Sequence, residues 1–305
     1  MYYRTLANTD LKMSAIGLGG WNFGGGYDWG PITQEDVCSV VDKALDQGIN
    51  VIDTAPVYGT SEEFLGYALQ KKRGQVILST KCGLVKNGSW AVHDLRSQTI
   101  SRQLEASLAK LKTDVIDLYF IHYLDSSVPW QDVLESLVRL KEQGKIRYIG
   151  VCNIPPAILV DMAQTGQINC VQDELSLFHS AKGQEILKVC QTYGLGFMSY
   201  GSLCGGILSG KYKREPNLRR ADARNYFYKC YRGENFTQAQ HTVDQVKQVA
   251  QEKHVAPAQV ALSWVLAQPG VISALVGART AKQVQQNAAA ADIFLSAEQL
   301  CNLAK

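Results

Sequence analysis

No cysteine of this chain stands in a C-x-x-C pair. There are eight, at positions 38, 82, 152, 170, 190, 204, 230 and 301, and no tight Cys/His cluster accompanies them. That spacing supports neither a structural zinc site nor a disulfide framework, so reduced thiols in a cytoplasmic enzyme are the expectation. Excess charge of one sign is also missing. The 31 Lys and Arg against 28 Asp and Glu leave a net charge of +3, too small to argue for nucleic acid or an anionic membrane as partner. The opening "MYYRTLANTD" lacks the apolar run of a secretory signal. The stretch "QVALSWVLAQPGVISALVGA" (259–278) is uncharged throughout, but Pro269-Gly270 interrupts it and Gln259, Ser263, Gln268 and Ser273 lie within it. It predicts a buried helix, a break and a buried strand, not a membrane span. No repeat of solenoid type is visible.

What remains is a composition with 46% hydrophobic and 19% charged residues, enough to bury a full core. A length of 305 residues is long for an ordinary domain and usual for one large barrel. Short apolar runs recur at 15–19, 50–54, 75–80, 115–122, 146–151, 169–175, 196–200 and 272–278. They are rich in Val, Ile and Leu without strict alternation, as strands buried on both faces should be. Helical patterns fill the gaps. "TQEDVCSVVDKALDQG" starts at Thr33, carries acids in its first turn and stops at Gly48; "PWQDVLESLVRLKEQGK" places Leu134, Leu137, Val138 and Lys141 at helix spacing and stops at Gly144. Eight strand-then-helix units predict an α/β fold, a closed parallel (β/α)8 TIM barrel forming one domain over 1–305, with a doubly wound open sheet as the alternative. A hairpin turning at "ANTD" precedes the barrel. Between the seventh and eighth strands lies a long connection, in which 211–236 reads as an aromatic-rich loop.

From the second strand on, each run carries a polar side chain that it does not need, at its end, just beyond it or, for Gln172, within it: Asp53, Lys81, His122, Asn153, Gln172, Tyr200 and Arg279. Taken singly, Asp53 caps a turn, Lys81 is a solvated charge and His122 is a core histidine. In a parallel barrel these ends converge on one face, where active sites are built. Proton transfer to a carbonyl oxygen needs such a set. The phenol of Tyr58, five residues after Asp53, is a poor acid at neutral pH unless a nearby ammonium favours the phenolate. A carboxylate can hold that ammonium, and a neutral imidazole can donate to the substrate oxygen.

With these residues in view, the chain resembles an aldo-keto reductase nearly end to end. "GINVIDTAPVYGTSEEFLG", "DLYFIH", "GKIRYIGVCN", "VQDELS" and "VGARTAKQVQQN" fall in the family's order. The resemblance implies a barrel without a Rossmann fingerprint, and "GLGGWNFGGG" indeed lacks the G-x-G-x-x-G spacing. It implies that Tyr58 is the general acid, that Lys81 and Asp53 tune it, and that His122 orients the carbonyl of an aldehyde or ketone. Asn153 and Gln172 would bind the nicotinamide carboxamide, and Tyr200 would stack on its ring. Leu203, Gly206 and Lys211, in "YGSLCGGILSGK", would cover the pyrophosphate, while Gly277, Arg279, Gln283 and Asn287 would hold the adenosine end. Arg279 opposes the dipole at a helix start, which a bound phosphate explains, so NADPH/NADP+ is the expected cofactor, and no metal is implied. Thr280 and Gln283 also read as a T-x-x-Q capping box. Cys152 and Ser202 depart from the family's usual Ser and Pro. A small-molecule carbonyl substrate and a monomer or weak homo-oligomer complete the expectation. Trp21, Trp29, Trp90, Tyr123 and the aromatic stretch 226–231 suggest an aromatic-lined mouth, with core packing as the alternative. Two other readings stay open. One is a nucleotide-sensing subunit that partners another protein, as the potassium-channel β subunits of this family do. The other is a phosphate-binding lyase or isomerase barrel.

Overall fold

The computed structural model describes the chain except Ser89, His179, Ala304 and Lys305, and except the side chains of Tyr27 and Asp28. Among the described residues, twelve strands form: β1 Tyr3–Thr5, β2 Lys12–Ser14, β3 Ile16–Gly19, β4 Val51–Asp53, β5 Ile77–Cys82, β6 Leu84–Asn87, β7 Trp90–His93, β8 Ile116–Ile121, β9 Ile146–Cys152, β10 Cys170–Glu174, β11 Gly196–Tyr200 and β12 Val271–Val276. Eight of them close a barrel in the order β3, β4, β5, β8, β9, β10, β11, β12, and every pairing within it is parallel. These eight are the runs expected from the sequence, with ends that differ by at most two residues. β1 and β2 pair antiparallel as the hairpin before the barrel.

The helices form where their caps and apolar stripes dictate. Gln34–Asp46 opens with a reciprocal cap, in which Asp36 N–H donates to Thr33 Oγ1 (3.1 Å) and Thr33 N–H donates to Asp36 Oδ2 (3.0 Å). Gly48 ends it with φ +76°, a conformation glycine adopts without Cβ strain. Trp130–Glu142 buries Val133, Leu134, Leu137 and Leu140, and leaves Lys141 to solvent. The uncharged run resolves into the helix Pro257–Leu266, the break at Pro269-Gly270 and β12. Among the described residues no helix is long and apolar enough to cross a membrane.

Period-two alternation decides what most strands present inward; β12, which meets β11 across a register shift, contributes both Ile272 and Leu275. Val51, Ile77, Leu118, Phe120, Cys152, Cys170, Met198, Ile272 and Leu275 form one buried cluster together with Leu6, Leu11 and Met13 of the hairpin. The barrel interior is thus filled by side chains, and the hairpin plugs it at the start of the strands. The intervening residues, among them Ile52, Leu78, Tyr119 and Ile149, belong to the larger cluster shared with the helices. In the same alternation Asp53, Ser79, Lys81 and Gln172 point inward, at the strands' C-terminal ends.

The connection after β11 differs from the loop its sequence suggested. It contains short helical turns at Cys204–Ser209, Arg224–Phe227 and Lys229–Tyr231 before the long helix Gly233–Glu252. Ala223, Tyr228, Cys230 and Tyr231 are buried, and the Tyr231 hydroxyl donates to the Cys204 carbonyl at 3.1 Å. Arg224 grips Asp222 through Nε (2.8 Å) and Nη2 (2.6 Å). Aromatic burial fastens the second half of this segment to the barrel. Its first half, around 213–220, is largely exposed.

Candidate active site

Asp53 ends β4 and lies beside Ser79 in the parallel register with β5. Its Oδ1 accepts from Ser79 Oγ (2.8 Å), Lys81 Nζ (2.9 Å) and Gln172 Nε2 (2.9 Å), and its Oδ2 from Lys81 Nζ (2.7 Å). Lys81 adds a bond to the Thr54 carbonyl at 2.9 Å. Its ammonium is therefore fully committed, inside a barrel where Lys81 is 1% and Asp53 4% exposed. A buried charge needs such pairing: losing one partner of a buried ion pair costs about 3–5 kcal/mol. Burial alone would lower the Lys81 pKa, but the Asp53 carboxylate overrides it and holds the ammonium well above its ordinary value.

Tyr58 comes from the turn after β4. Its N–H donates to the Ala55 carbonyl, and its own carbonyl accepts from Ser61 N–H as the helix Ser61–Leu69 begins. Thr60 does not cap that helix; its hydroxyl donates to the Phe23 carbonyl at 3.1 Å. Two glycines let the loops meet. A Cβ on Gly24 would lie 2.3 Å from the Tyr58 carbonyl oxygen, and one on Gly59 would lie 2.5 Å from the Gly24 oxygen. The Lys81 ammonium sits 5.1 Å from the Tyr58 ring centroid, and the His122 ring stands perpendicular to that ring at 5.8 Å. Here the sequence expectation needs correcting. Lys81 does pull the phenol pKa down, but burial outweighs it and Asp53 opposes it, so the net direction is upward. The imidazole of His122, 8% exposed, is driven well below its ordinary value by burial, with Lys81 and His93 adding to the effect. It is a neutral ring at neutral pH.

The remaining strand-end residues join the same face. Asn153, in the left-handed region at φ +57°, donates from Nδ2 to the His122 carbonyl (3.0 Å) and accepts from the Tyr200 hydroxyl at Oδ1 (2.7 Å). Cys152 beside it is buried, and burial pushes its thiol well up. Ser202 is buried too, its hydroxyl 3.1 Å from that of Ser199. Leu203 is half-buried against the core and precedes two left-handed glycines, Gly205 and Gly206. A Cβ on Gly206 would fall 3.6 Å from Lys211 Nζ, an ordinary contact distance, so the glycine lies beside an exposed ammonium and is called for by its φ of +100°. Arg279 turns its guanidinium onto the carbonyls of Trp29, Gly30 and Pro31. Thr280 caps the helix Ala281–Ala288 by accepting from Gln283 N–H at 3.2 Å, and Gln283 Oε1 accepts from Arg279 N–H at 2.7 Å. The capping reading thus holds in a form that reaches one residue further back. Asn287 is buried and directs Nδ2 toward the exposed Gly277, 3.5 Å from its carbonyl.

With this geometry in place, known proteins provide the comparison. The profile of the Aldo/keto reductase family matches residues 15–305. The chain belongs to the aldo/keto reductase family. It is 35% identical to the aldo-keto reductase YhdN of Bacillus subtilis (strain 168), over 93% of this chain and 87% of that protein. It is 33% identical to the NADH-specific methylglyoxal reductase of Escherichia coli (strain K12), over 95% and 94%. The glycerol dehydrogenase AKR11B4 from Gluconobacter oxydans superposes with a TM-score of 0.89 at 31% identity, covering 99% of this chain and 93% of that one. The fold and the oxidoreductase family follow.

Three features of this reductase site escaped the sequence. Ser79 and Gln172 both donate to Asp53, so side chains from β5 and β10 are wired to the carboxylate that holds Lys81. The β6–β7 hairpin places His93 against Tyr123 at 5.7 Å, and Tyr123 in turn stacks on His122 at 5.2 Å. Gly24 meets Tyr58 across 34 residues of chain. None has a local signal, because each depends on strand register or on loops that meet only in the fold. Trp90, by contrast, is 81% exposed and takes no part in the mouth.

Proposed function

We propose that this protein is an NADPH-dependent reductase of aldehydes or ketones. The observation that carries this reading is the convergence of Asp53, Lys81, Tyr58 and His122 at the C-terminal face of the barrel, with the ammonium saturated by the carboxylate and turned to the phenol ring. A carbonyl oxygen seated between Tyr58 and His122 meets a phenol O–H and a neutral imidazole. When bound, a reduced nicotinamide supplies the hydride to the carbonyl carbon. The π-electron pair moves onto oxygen, which takes the Tyr58 proton, and the Lys81 ammonium favours the phenolate left behind. Because burial makes Tyr58 a weak acid, the proton is transferred only as negative charge develops on the oxygen. His122 polarises the carbonyl without competing as a charged acid.

The residues present fit a nicotinamide dinucleotide. Asn153 and Gln172 bring amide groups to the face that also carries Tyr200, Gly206 lies beside the Lys211 ammonium, and Gln283 is exposed in the first turn of the helix on which Asn287 lies buried one turn further on. The preference for NADPH rests on Arg279, which stands just before that helix and whose guanidinium, bonded to the carbonyls of Trp29, Gly30 and Pro31, would exchange these partners for a phosphate. One relative is named NADH-specific, so this point needs its own measurement. Protein mixed with NADPH, then with NADH, and a panel of aldehydes is followed by nicotinamide absorbance. Arg279→Ala should weaken NADPH by about ten- to a hundredfold, the weight of one charge-assisted contact, and leave NADH nearly untouched. Equal losses for both cofactors would remove the assignment, and no turnover with any aldehyde would remove the reductase reading.

A further inference from the structure

An unbroken file of aromatic rings crosses the mouth of the site. Phe227 meets Trp21 edge-on (4.8 Å, 85°), and Trp21 is offset-stacked on Tyr58 (6.0 Å, 29°). Tyr58 is perpendicular to His122 (5.8 Å, 85°), His122 stacks on Tyr123 (5.2 Å, 21°), and Tyr123 stacks on His93 (5.7 Å, 15°). Trp29 closes on Trp21 from the side, edge-on at 5.2 Å. The two ends of the file differ. At the His93 end the rings are nearly parallel and stacked, so each lies over its neighbour's face. At the Phe227 end the contact is edge to face, which leaves a ring face of Phe227 unused. Phe227 is 60% exposed, while the next residue, Tyr228, is buried at 8%.

An apolar ring left in water needs a reason when the backbone beneath it is fixed. Here it is fixed. Arg224 is bidentate to Asp222, Asn225 Nδ2 donates to the Arg219 carbonyl (2.7 Å), the Tyr226 hydroxyl donates to the Arg220 carbonyl (2.8 Å), and Phe227 N–H donates to the Ala223 carbonyl (3.0 Å). The turn therefore sets the backbone of Phe227 beside Trp21, with its ring against that indole and one ring away from Tyr58. Every ring contact on Trp21 comes from another aromatic. A substrate whose carbonyl reaches Tyr58 and whose remainder leaves past Trp21 runs along this edge.

We propose that Phe227 is a specificity-determining residue. With Trp21 it forms the outer wall of a flat apolar slot, which selects carbonyl compounds carrying a planar aromatic group over small aliphatic ones. This rests on the reductase reading above and adds the substrate class to it. A planar group laid on the free face of Phe227 and against Trp21 removes apolar surface of all three from water, which a three-carbon aldehyde cannot do.

The test compares 2-naphthaldehyde with propanal under NADPH, in the parent, Phe227→Ala and Phe227→Tyr. The ratio of kcat/KM for the two aldehydes should favour naphthaldehyde in the parent and fall about tenfold in Phe227→Ala, through KM and not kcat. Phe227→Tyr, which keeps the ring, should restore it. Because Phe227 is mostly exposed, the alanine variant should fold with an unchanged melting temperature. Calorimetric binding of 2-naphthylmethanol, which needs no turnover, should weaken by the same factor in Phe227→Ala. An unchanged ratio, or an equal loss for both aldehydes, would overturn the slot. If the parent reduces neither aldehyde, the reductase reading falls instead, and the naphthylmethanol titration alone decides the slot: binding that Phe227→Ala does not alter rejects it.

Discussion

Replacing Tyr58 by phenylalanine keeps the ring against Trp21 and removes one oxygen. If that oxygen delivers the proton, carbonyl reduction should fall by roughly 10²–10⁴-fold, the usual weight of general acid catalysis. NADPH affinity, measured by fluorescence titration, should hardly move, because the groups offered to the cofactor lie elsewhere. A variant turning over within a few-fold of the parent would mean that Tyr58 and Asp53 meet for reasons of folding. His122 makes a different prediction. Its folded pKa lies below its ordinary value, so above pH 6.5 the folded and unfolded chains are both neutral there, and it contributes no pH dependence. As pH falls below that point the unfolded chain binds a proton that the folded ring refuses, and stability drops by up to about 1.4 kcal/mol per pH unit until the folded pKa is reached. Denaturant midpoints at pH 7.5 and 5.5 should therefore separate more in the parent than in His122→Gln. Parallel behaviour of the two proteins would show that another group carries the acid sensitivity.

At the scale of elements, the eight barrel strands and the helix stops were legible because each is written locally, in a run of Val, Ile and Leu or in a glycine after a charged turn. The polar strand ends were legible for the same reason: a parallel barrel brings every strand end to one face. What the sequence did not disclose is how those ends bond to one another. Ser79 and Gln172 reach Asp53 only through strand register and barrel closure, and Gly24 matters only where it touches Tyr58. The aromatics of the connection after β11 are visible in the sequence, but that they pack inward on short helical turns depends on contacts made only in the fold. Tyr228 and Tyr231 are core residues, so the segment is half fastened and half free. Hydrogen exchange should reflect that division. Amides of 227–231 should be protected without cofactor, and those of 213–220, with exposed Lys213, Arg214, Arg219 and Arg220, should exchange fast and slow down when NADPH is added. If 213–220 exchanges identically with and without NADPH, this stretch does not cover the cofactor.

Across the whole molecule the barrel separates stability from chemistry along its axis. The proposed reacting groups sit at the C-terminal ends of the strands, and the opposite end is closed by the hairpin β1–β2. Leu6 of that hairpin is fully buried, and a Cβ on Gly196, at the start of β11, would lie 2.2 Å from its Cδ1. The glycine is the seat into which the leucine packs. Outside the plug, Asp10 takes Arg147 Nη2 at 2.6 Å and the Tyr148 hydroxyl at 2.8 Å, and Arg147 also reaches Asp117 at 2.7 Å, tying the hairpin to β8 and β9. With those polar ties in place, the site vacated in Leu6→Ala cannot collapse fully, and the substitution should cost about 2–5 kcal/mol, the range for a large-to-small change in a packed core. The barrel's far end lies away from the proposed reacting groups, so kcat and KM at 25 °C should stay with the parent values for the folded fraction. A lower melting temperature with intact kinetics is the expected result. A fall in kcat of tenfold or more in the folded variant would show that strain at the hairpin travels up the strands to Asp53 and Lys81, and that the two ends of this barrel are coupled.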